Sequence, residues 1–277
     1  MKSRIALLLV FVMLVLALVS CGGGKTPEST KPKYEKAAVP DWQNYLITYS
    51  SEASSTVSAS FTALVDMIKE KYGVDMRIGD DFMIPGETAP TDTLEILIGK
   101  TNRAESQALA QTAKAGDYVI KFENNRLVIY GGSDEATAAA IEHYMTYLLG
   151  DEGLMYPVGG YEVKGNYVVD TLTIGGVDIS EFVIVRGTGM TSSERLLSTM
   201  VQNAISDTCG VVIPFVLASE KEAQYEILIG NTGRAETSTE VKGGCVNIVQ
   251  TENKLALYGN GDYSAAYAIK YFINDIL

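Results

Sequence analysis

The chain has 277 residues, of which 47% are hydrophobic and 20% are charged, and its formal net charge at pH 7 is −12. A chain of this length can form two modest domains, each with a hydrophobic core. The excess of acidic residues argues against nucleic acid and anionic lipid surfaces as partners.

The N-terminus has the pattern of a bacterial signal peptide. Lys2 and Arg4 provide a basic start, and Ile5–Val19 is an uninterrupted apolar run that is too short for a comfortable membrane span. Leu18–Cys21 reads Leu-Val-Ser-Cys and resembles the lipobox of bacterial lipoproteins. In such proteins the cysteine thiol takes a diacylglycerol, and the chain is cut just before the cysteine.

This pattern predicts a signal peptide over residues 1–20 and lipid attachment at Cys21, so that the mature protein is extracytoplasmic and anchored to the bacterial cell membrane. Loss of the two cations Lys2 and Arg4 takes the formal charge from −12 to −14. An ordinary signal anchor and a plain secreted protein with a chance cysteine are the alternatives. Residues 21–41 are rich in Gly, Lys, Pro, Thr and Ser, which predicts a flexible tether.

The rest of the chain contains an internal repeat. Glu95–Ser106 reads EILIGKTNRAES and Glu226–Thr237 reads EILIGNTGRAET, with nine of the twelve aligned positions identical. Downstream, NRLVIYG at Asn125–Gly131 aligns with NKLALYG at Asn253–Gly259. A repeat of this length indicates a duplicated structural unit. We place the first copy at residues 42–150 and the second copy at residues 179–277, with a β-rich connector over residues 151–178.

The hydrophobic pattern of the first copy predicts strands and helices in alternation. Apolar residues at helical spacing indicate an amphipathic helix over Thr56–Tyr72, which Gly73 ends. A last helix begins near Ser133 or Asp134 as its N-cap. Its predicted inward residues are Ala138, Ile141, Met145 and Leu148. The other predicted elements are strands at Leu46–Tyr49, Val74–Ile78, Leu94–Ile98, Tyr118–Glu123 and Arg126–Tyr130, and a short helix near Ala104–Thr112.

The second copy repeats this order. Its first predicted helix is Ser193–Thr208, and its last helix begins at about Tyr263. The inward residues predicted for that last helix are Ala266, Ile269, Ile273 and Ile276. The predicted strands are Val183–Arg186, Val211–Phe215, Glu226–Ile229, Val246–Thr251 and Lys254–Tyr258. The predicted fold class is therefore α/β, in α and β layers: two tandem repeats of a mixed β-sheet with helices packed on one face.

The repeated motifs resemble a known accessory domain. ILIG-x-T-x-R followed by an N-x-L-V-I-x-G-G-S hairpin and helix is similar to the small α/β domain that precedes the catalytic barrel in β-hexosaminidases, chitobiases and α-glucuronidases. The resemblance covers both copies. In that family the catalytic Asp-Glu pair lies in a barrel of roughly 250 residues, which has no counterpart in this sequence. The resemblance therefore implies an accessory domain and carries over no catalytic residue.

The duplicated residues offer one candidate binding pair. Arg103 and Arg234 occupy equivalent positions after the ILIG strands. In one interpretation each is a structural arginine that bonds loop carbonyls, and in the other each donates to a sugar hydroxyl or carboxylate.

Other candidate sites have simpler interpretations. His143 is the single histidine, so no histidine-rich metal site is predicted, and a packing or surface role fits it better than that of a base. No phosphate-loop pattern is present, so no cofactor is predicted. Asp80-Asp81 and Asp151-Glu152 fall in predicted loops, where solvated charge is the ordinary explanation. Beyond Cys21, the two cysteines Cys209 and Cys245 could form a disulfide, but buried small apolar residues are the commoner outcome.

Tyrosines are frequent near the end of the first copy, at Tyr144, Tyr147, Tyr156, Tyr161 and Tyr167. Aromatic platforms can stack on sugars, although core or surface positions are the commoner outcome.

Three functions remain. The favoured hypothesis is a membrane-tethered, non-catalytic surface lipoprotein that binds or scaffolds a glycan or cell-wall polysaccharide. The second is the N-terminal remnant of a larger glycoside hydrolase that lacks its catalytic barrel, and the third is a small hydrolase with an unrecognised site. The sequence does not determine the oligomeric state.

Overall fold

The computed structural model describes residues 33–84, 86–91, 93–150, 153–187, 190–237, 241–260 and 262–277. Tyr34–Leu277 form one compact unit. The predicted signal peptide, Cys21 and most of the predicted tether lie outside the described residues, as do Asp151 and Glu152. Among the helices in the described ranges, none is both long enough and apolar enough to cross a membrane.

The described part of the chain contains fifteen short β-strands. In chain order they are β1 (Tyr34–Lys36), β2 (Leu46–Tyr49), β3 (Arg77–Asp80), β4 (Glu95–Ile98), β5 (Tyr118–Glu123), β6 (Arg126–Gly131), β7 (Met155–Pro157), β8 (Tyr161–Val163), β9 (Thr173–Ile174), β10 (Val177–Asp178), β11 (Val183–Arg186), β12 (Phe215–Leu217), β13 (Glu226–Ile229), β14 (Val246–Gln250) and β15 (Lys254–Gly259).

The described α-helices are fewer and longer. They are α1 (Ser55–Tyr72), α2 (Ala104–Ala110), α3 (Asp134–Tyr147), α4 (Ser192–Cys209) and α5 (Asp262–Tyr271). Single turns of 3₁₀-helix lie at Trp42–Asn44, Ile179–Glu181 and Ala235–Thr237, and α5 continues as a π-helix over Phe272–Ile276.

The two copies form two separate mixed sheets with the same strand order. The first sheet has the order β3-β2-β4-β6-β5-β8, and the second has the order β12-β11-β13-β15-β14. In each sheet the first four strands are parallel and the next strand is antiparallel. The tandem mixed sheets confirm the predicted fold class. The first sheet has one additional strand, β8, which pairs antiparallel with β5.

The main core of the first copy lies between the sheet and the helices α1 and α3. Ile96, Ile98, Leu127 and Ile129 point to this side, where they meet Leu64 and other helix residues. Because side chains alternate along a strand, Leu97 and Val128 point to the opposite face. The short helix α2 covers that face with Leu109. The two long helices therefore share one face as expected, whereas the short helix lies on the other.

Both first helices have strong local end signals, which explains why their predicted bounds agree with the structure to within one residue. Ser54 caps α1 by accepting a hydrogen bond from Val57 N, and Gly73 ends it with φ of 70°. In α4, Thr191 and Glu194 form a capping box, and Gly210 ends the helix with φ of 79°.

Two predicted strands are displaced along the chain. The first predicted strand is Val74–Ile78, whereas the observed strand β3 is Arg77–Asp80. The second predicted strand is Val211–Phe215, whereas the observed strand β12 is Phe215–Leu217. The residues just before each observed strand alternate between inward and outward positions, and the inward ones pack against the core, with Ile213 fully buried. These residues do not form ladder pairs with a neighbouring strand. The alternating pattern therefore marks a buried connection between helix and strand and not the strand itself.

The inward face of each last helix was predicted only in part. In α3 the fully buried residues include Ala140, Ile141 and Tyr144, in place of Ala138 and Met145. In the second copy Ile269 is buried as expected, but Ile273 is half-buried, Ala266 is half-buried and Ile276 is exposed. The π-helix over Phe272–Ile276 has more residues per turn, so extrapolation at 3.6 residues per turn selects the wrong side chains at Ile273 and Ile276.

The connector ties the two copies together around one carboxylate. Asp117 accepts hydrogen bonds from Lys114 N, Gly165 N and the Tyr167 hydroxyl. Ala115 N donates to Gly210 O at 2.9 Å, which links the first copy to the end of α4. The two sheets are therefore joined by backbone contacts as well as by chain connectivity.

Gly131 provides a test of packing between strand and helix. A β-carbon at Gly131 would lie 2.1 Å from Thr137 N and 2.3 Å from Ala136 C, where α3 crosses the end of β6. We expect Gly131→Ala to lower the free energy of unfolding by about 3 kcal/mol, because backbone atoms must move to relieve the overlap. Denaturant unfolding measures this, with Gly243→Ala as the control, since no atom lies within 4 Å of that β-carbon. Equal midpoints for the two variants would contradict the close packing.

Candidate functional site

A buried carboxylate lies at the start of β4 in the first copy. Glu95 is fully buried, and Arg103 Nε and Nη2 donate to its Oε1 at 3.1 and 2.8 Å. Arg126 Nε lies 2.9 Å from Oε2, and the Thr48 hydroxyl donates to Oε1 at 2.9 Å. The carboxylate therefore joins β2, β4, β6 and the loop that follows β4.

The network extends to a second carboxylate on α2. Arg126 Nη1 donates to both oxygens of Glu105 at 3.0 to 3.1 Å, and Asn124 Nδ2 donates to Oε1 at 2.9 Å. Glu105 is itself buried. Two anions and two cations thus alternate in the interior of the first copy.

The second copy contains the same glutamate–arginine pair with different surrounding residues, because Val185 and Glu252 stand where the first copy has Thr48 and Asn124. Arg234 Nε and Nη2 donate to the fully buried Glu226 at 3.2 and 3.1 Å. Lys254, which replaces Arg126, lies 3.5 Å from Glu226 and 3.4 Å from Glu236. Glu236 occupies the position of Glu105 in the repeat. The sequence signal was the glutamate that opens both EILIG strands, a charge in an otherwise apolar strand with an arginine eight residues later.

These contacts place Arg103 and Arg234 in internal ion pairs. The Arg103 side chain is buried, and Arg234 also donates from Nη1 to Ala218 O at 3.1 Å, as the structural interpretation expected for a loop carbonyl. Ligand binding by either arginine stays a prediction, and it would require the guanidinium to leave a buried carboxylate.

The arginines also govern the protonation of Glu95. Burial by itself raises the pKa of a carboxyl group, but hydrogen bonds from Arg103, Thr93 and Thr48 outweigh it and hold the pKa of Glu95 below its usual range. Glu95 is therefore ionised at neutral pH.

A cleft of about 530 Å³ opens at the carboxyl ends of the parallel strands in the first copy. From β2 the chain passes to β3 on one side and then to β4 on the other, so the cleft lies where the strand order reverses. Ligands of open α/β sheets bind at such positions. Its lining includes Ser50, Ser51, Glu52, Ala53, Val57, Asp81, Phe82, Met83, Ile98, Gly99, Lys100, Asn102, Gln107, Tyr130, Gly131, Gly132, Ser133, Asp134 and Thr137.

Asp81 holds two walls of this cleft in place. Its Oδ1 accepts from Ser51 N and its Oδ2 accepts from Asn102 N, both at 2.7 Å. The Asn102 side-chain amide donates to Asp81 O, and Asn102 Oδ1 accepts from Arg103 Nη1. Asp81 is buried, which corrects the expectation that Asp80-Asp81 is a solvated pair. Asp80 is exposed, as expected. The sequence pattern could not reveal these partners because they come from separate loops.

The cleft has an apolar and a polar side, with a net negative charge. Phe82 is 71% exposed at its rim beside the half-buried Met83. The charged lining residues are Glu52, Asp81, Asp134 and Lys100. The cleft therefore combines an aromatic surface, fixed polar groups and an excess of carboxylates.

The second copy has no polar side chain at three positions that are polar in this cleft. The strand pairing places Ala218 where the first copy has Asp81. Each residue directly follows the last residue of its edge strand, β12 or β3, and its backbone N–H donates to the last carbonyl of the neighbouring strand, β11 or β2. The repeat alignment places Gly233 opposite Asn102 and Ala265 opposite Thr137. The glutamate–arginine pair is thus shared by the copies, whereas the polar side chains of Asp81, Asn102 and Thr137 belong to the first copy.

His143 is a packing residue within an aromatic cluster. Its ring stacks on Tyr161 at 4.2 Å and lies 4.7 Å from Tyr147, and its Nδ1 is 3.4 Å from the Tyr118 hydroxyl. Burial lowers the pKa of His143, which favours the neutral ring. In the described part of the chain, no group of three or more His, Cys, Asp or Glu residues could hold a metal ion.

The clustered tyrosines do not form one platform. Tyr144 is fully buried, Tyr156 stacks on Phe122 at 4.5 Å, and Tyr167 bonds to Asp117. These tyrosines are close in sequence but lie in different structural elements, so their side chains point in different directions. The cysteines differ as well, because Cys209 is buried as expected whereas Cys245 is exposed, and the two are not bonded.

No known protein family matches the chain, and no curated protein matches it. Among solved structures, CpGH84D is 11% identical with a TM-score of 0.32, over 74% of this chain and 31% of that chain. The beta-N-acetylhexosaminidase from Bacteroides fragilis NCTC 9343 is 15% identical with a TM-score of 0.29, over 72% of this chain and 31% of that chain. This chain thus corresponds to about a third of either neighbour, and likeness at these TM-scores carries no argument about function.

Glu95 should be a strong determinant of stability at neutral pH. We expect Glu95→Gln to lower the free energy of unfolding at pH 7 by about 3–5 kcal/mol, because two buried cations lose their counter-charge. The folded-state pKa of Glu95 is lowered, so this stabilisation is present above the unfolded value of about 4.3 and is lost as pH falls through the folded pKa.

The gap between wild type and variant should therefore shrink on acidification. Urea unfolding at pH 7 and at about pH 3 measures it, with the exposed Asp66→Asn as a control for loss of one carboxylate. A Glu95→Gln variant as stable as Asp66→Asn at pH 7 would contradict the role assigned to the network.

Proposed function

We propose that the protein is a lipid-anchored, non-catalytic surface protein that binds a neutral glycan in the cleft of the first copy. The observation that carries the proposal is the cleft itself, with a fixed polar wall and an exposed aromatic ring. Its volume of about 530 Å³ is typical of small-molecule sites. Its position at the reversal of strand order is where α/β sheets bind ligands.

The chemistry of the lining supports a sugar as the ligand. A sugar ring presents an apolar face and a rim of hydroxyl groups, and aromatic side chains stack on the apolar face. Phe82 offers such a face, and the Lys100 ammonium group and the Gln107 side-chain carbonyl offer polar contacts nearby.

The charge of the lining supports a neutral ligand. Three carboxylates, on Glu52, Asp81 and Asp134, face one ammonium group on Lys100. Such a cleft repels phosphorylated and carboxylated sugars.

The engagement of Asp81 supports binding in place of hydrolysis. Glycoside hydrolysis requires one carboxyl group as acid and a second as base or nucleophile. Both oxygens of Asp81 already accept backbone hydrogen bonds, so this carboxylate organises the cleft. Glu52 and Asp134 are exposed at its rim.

A second candidate rests on the repeated ILIG-x-T-x-R motif and its resemblance to glycosidase accessory domains. On this alternative the chain is the N-terminal part of a larger glycoside hydrolase. The genomic sequence downstream of Leu277 distinguishes the two, because a reading frame encoding a catalytic barrel would favour the alternative.

Glycan binding should depend on Phe82. After a screen of neutral oligosaccharides, we expect Phe82→Ala to weaken the affinity of the best ligand about tenfold, because it removes the stacking surface. Titration calorimetry measures this with Tyr267→Ala as the control, an equally exposed aromatic residue in the second copy. Failure of every neutral glycan to bind, or equal losses in both variants, would overturn the proposal.

Membrane anchoring should depend on Cys21. We expect Cys21→Ala to block processing or to release the protein from the membrane fraction, because the lipid is attached to that thiol. Immunoblots of fractionated cells measure this, and Cys245→Ala, which removes an exposed thiol in the second copy, is the control. Normal retention and processing of Cys21→Ala would contradict the anchor.

A further inference from the structure

The outer edge of β5 in the first copy is covered by another segment of the chain. The strand β8 pairs antiparallel with it, so that Tyr161 lies opposite Ile120 and Val163 lies opposite Tyr118. The Tyr161 ring also stacks on His143 of α3. Ile120, which lies opposite Tyr161, is fully buried. The segment that covers the edge of β5 is thus the short strand β8, whose aromatic side chain packs against α3.

The corresponding edge of the second copy is open. The alignment of the repeats matches Val246 and Ile248 of β14 with Tyr118 and Ile120, and Tyr271 with His143. Among the described residues, β14 pairs with β15 on one side and with no strand on the other. We call Val246, Ile248 and Tyr271 the open edge.

The open edge exposes side chains that are covered in the first copy. Tyr271 is 55% exposed, and Val246 is 38% exposed. An apolar patch is therefore adjacent to a row of backbone N–H and C=O groups that no described strand engages.

The strand at this edge also lacks the usual protection against pairing. Natural edge strands carry lysine, proline, inward charges or bulges that prevent addition of another strand. The edge strand β3 carries Arg77 and Asp80, whereas β14 reads Val-Asn-Ile-Val-Gln, with no charge and no proline. Its composition permits strand addition, which is an established mode of peptide recognition.

We propose that the open edge binds an extended segment of a partner protein, which adds antiparallel to β14 as β8 adds to β5. The segment places an aromatic side chain opposite Ile248, against Tyr271, and an aliphatic side chain two residues later opposite Val246. The chemistry of this occupant follows from Tyr161-Glu162-Val163, which covers the matching edge of the first copy.

A second copy of the chain fits this edge less well. Antiparallel pairing of two β14 strands centred on Ile248 would bring Gln250 of one strand opposite Val246 of the other. Such a pair provides no aromatic side chain to reach Tyr271. A partner segment with the pattern aromatic-x-aliphatic is therefore favoured over self-association.

A peptide tests the proposal directly. A labelled peptide with the sequence of Val158–Asn166 contains the covering strand, and its binding to the full chain can be followed by fluorescence anisotropy. We expect saturable binding that becomes at least tenfold weaker when the peptide carries Tyr161→Ala. Binding should weaken to a similar extent when the protein carries Tyr271→Asp, because the change removes the ring contact and the new carboxylate would have to lose its hydration against the aromatic side chain.

The matched control is Leu196→Asp, which changes an exposed apolar residue on α4, over the opposite end of the second sheet. This variant should bind the peptide as the wild type does, and the unfolding midpoint of each variant checks that it folds. Three results would overturn the proposal: no binding to the folded wild type, equal binding by Tyr271→Asp, and a dimer that forms through Tyr271 without binding the peptide. Each is distinguishable from loss of glycan binding, because the cleft lies in the first copy.

Discussion

In each copy, the ion pairs that a fully buried glutamate makes with neighbouring cations constrain the rest of the structure. Removing Glu95 or Glu226 from water costs several kcal/mol unless cations and donors surround it. In the first copy those partners come from β2, the loop after β4, and β6, so one interaction fixes three neighbouring strands and a loop. The second copy keeps the glutamate and its arginine, with Lys254 in place of Arg126 and Val185 in place of Thr48. Retention of a costly buried network in both copies indicates that it specifies the fold of the unit.

The same network reaches the cleft through one side chain. Arg103 bonds to Glu95 on one side and to Asn102 on the other, and Asn102 bonds to Asp81. The polar wall of the cleft is therefore attached to the buried ion network of the first copy. The second copy has Gly233 and Ala218 at the positions of Asn102 and Asp81. The two copies thus share the buried glutamate–arginine pair, whereas Asp81 and Asn102 have no polar counterpart in the second copy, and among the described residues no strand pairs with the outer edge of β14.

Local signals explain which parts of the fold were predictable. The capped helices α1 and α4 and the apolar strands β4 and β13 are determined by neighbouring residues, and the predicted bounds agree closely with the structure. The starts of β3 and β12 depend on register with another strand, and the π-helix at Phe272–Ile276 depends on packing at the end of α5. The site was harder still. Arg103 and Arg234 were identified from the repeat, but their carboxylate partners and the burial of Asp81 arise from residues that only the folded chain brings together.

The central claim is that the first copy carries the ligand site on a scaffold that both copies share. Backbone amide NMR of the protein during titration with a neutral glycan tests it most directly. The account predicts shifts at the amides of Ser51, Asn102 and Gly132 and none at Gly233 and Gly259 in the second copy. Shifts centred on the second copy, or spread evenly over both copies, would contradict it.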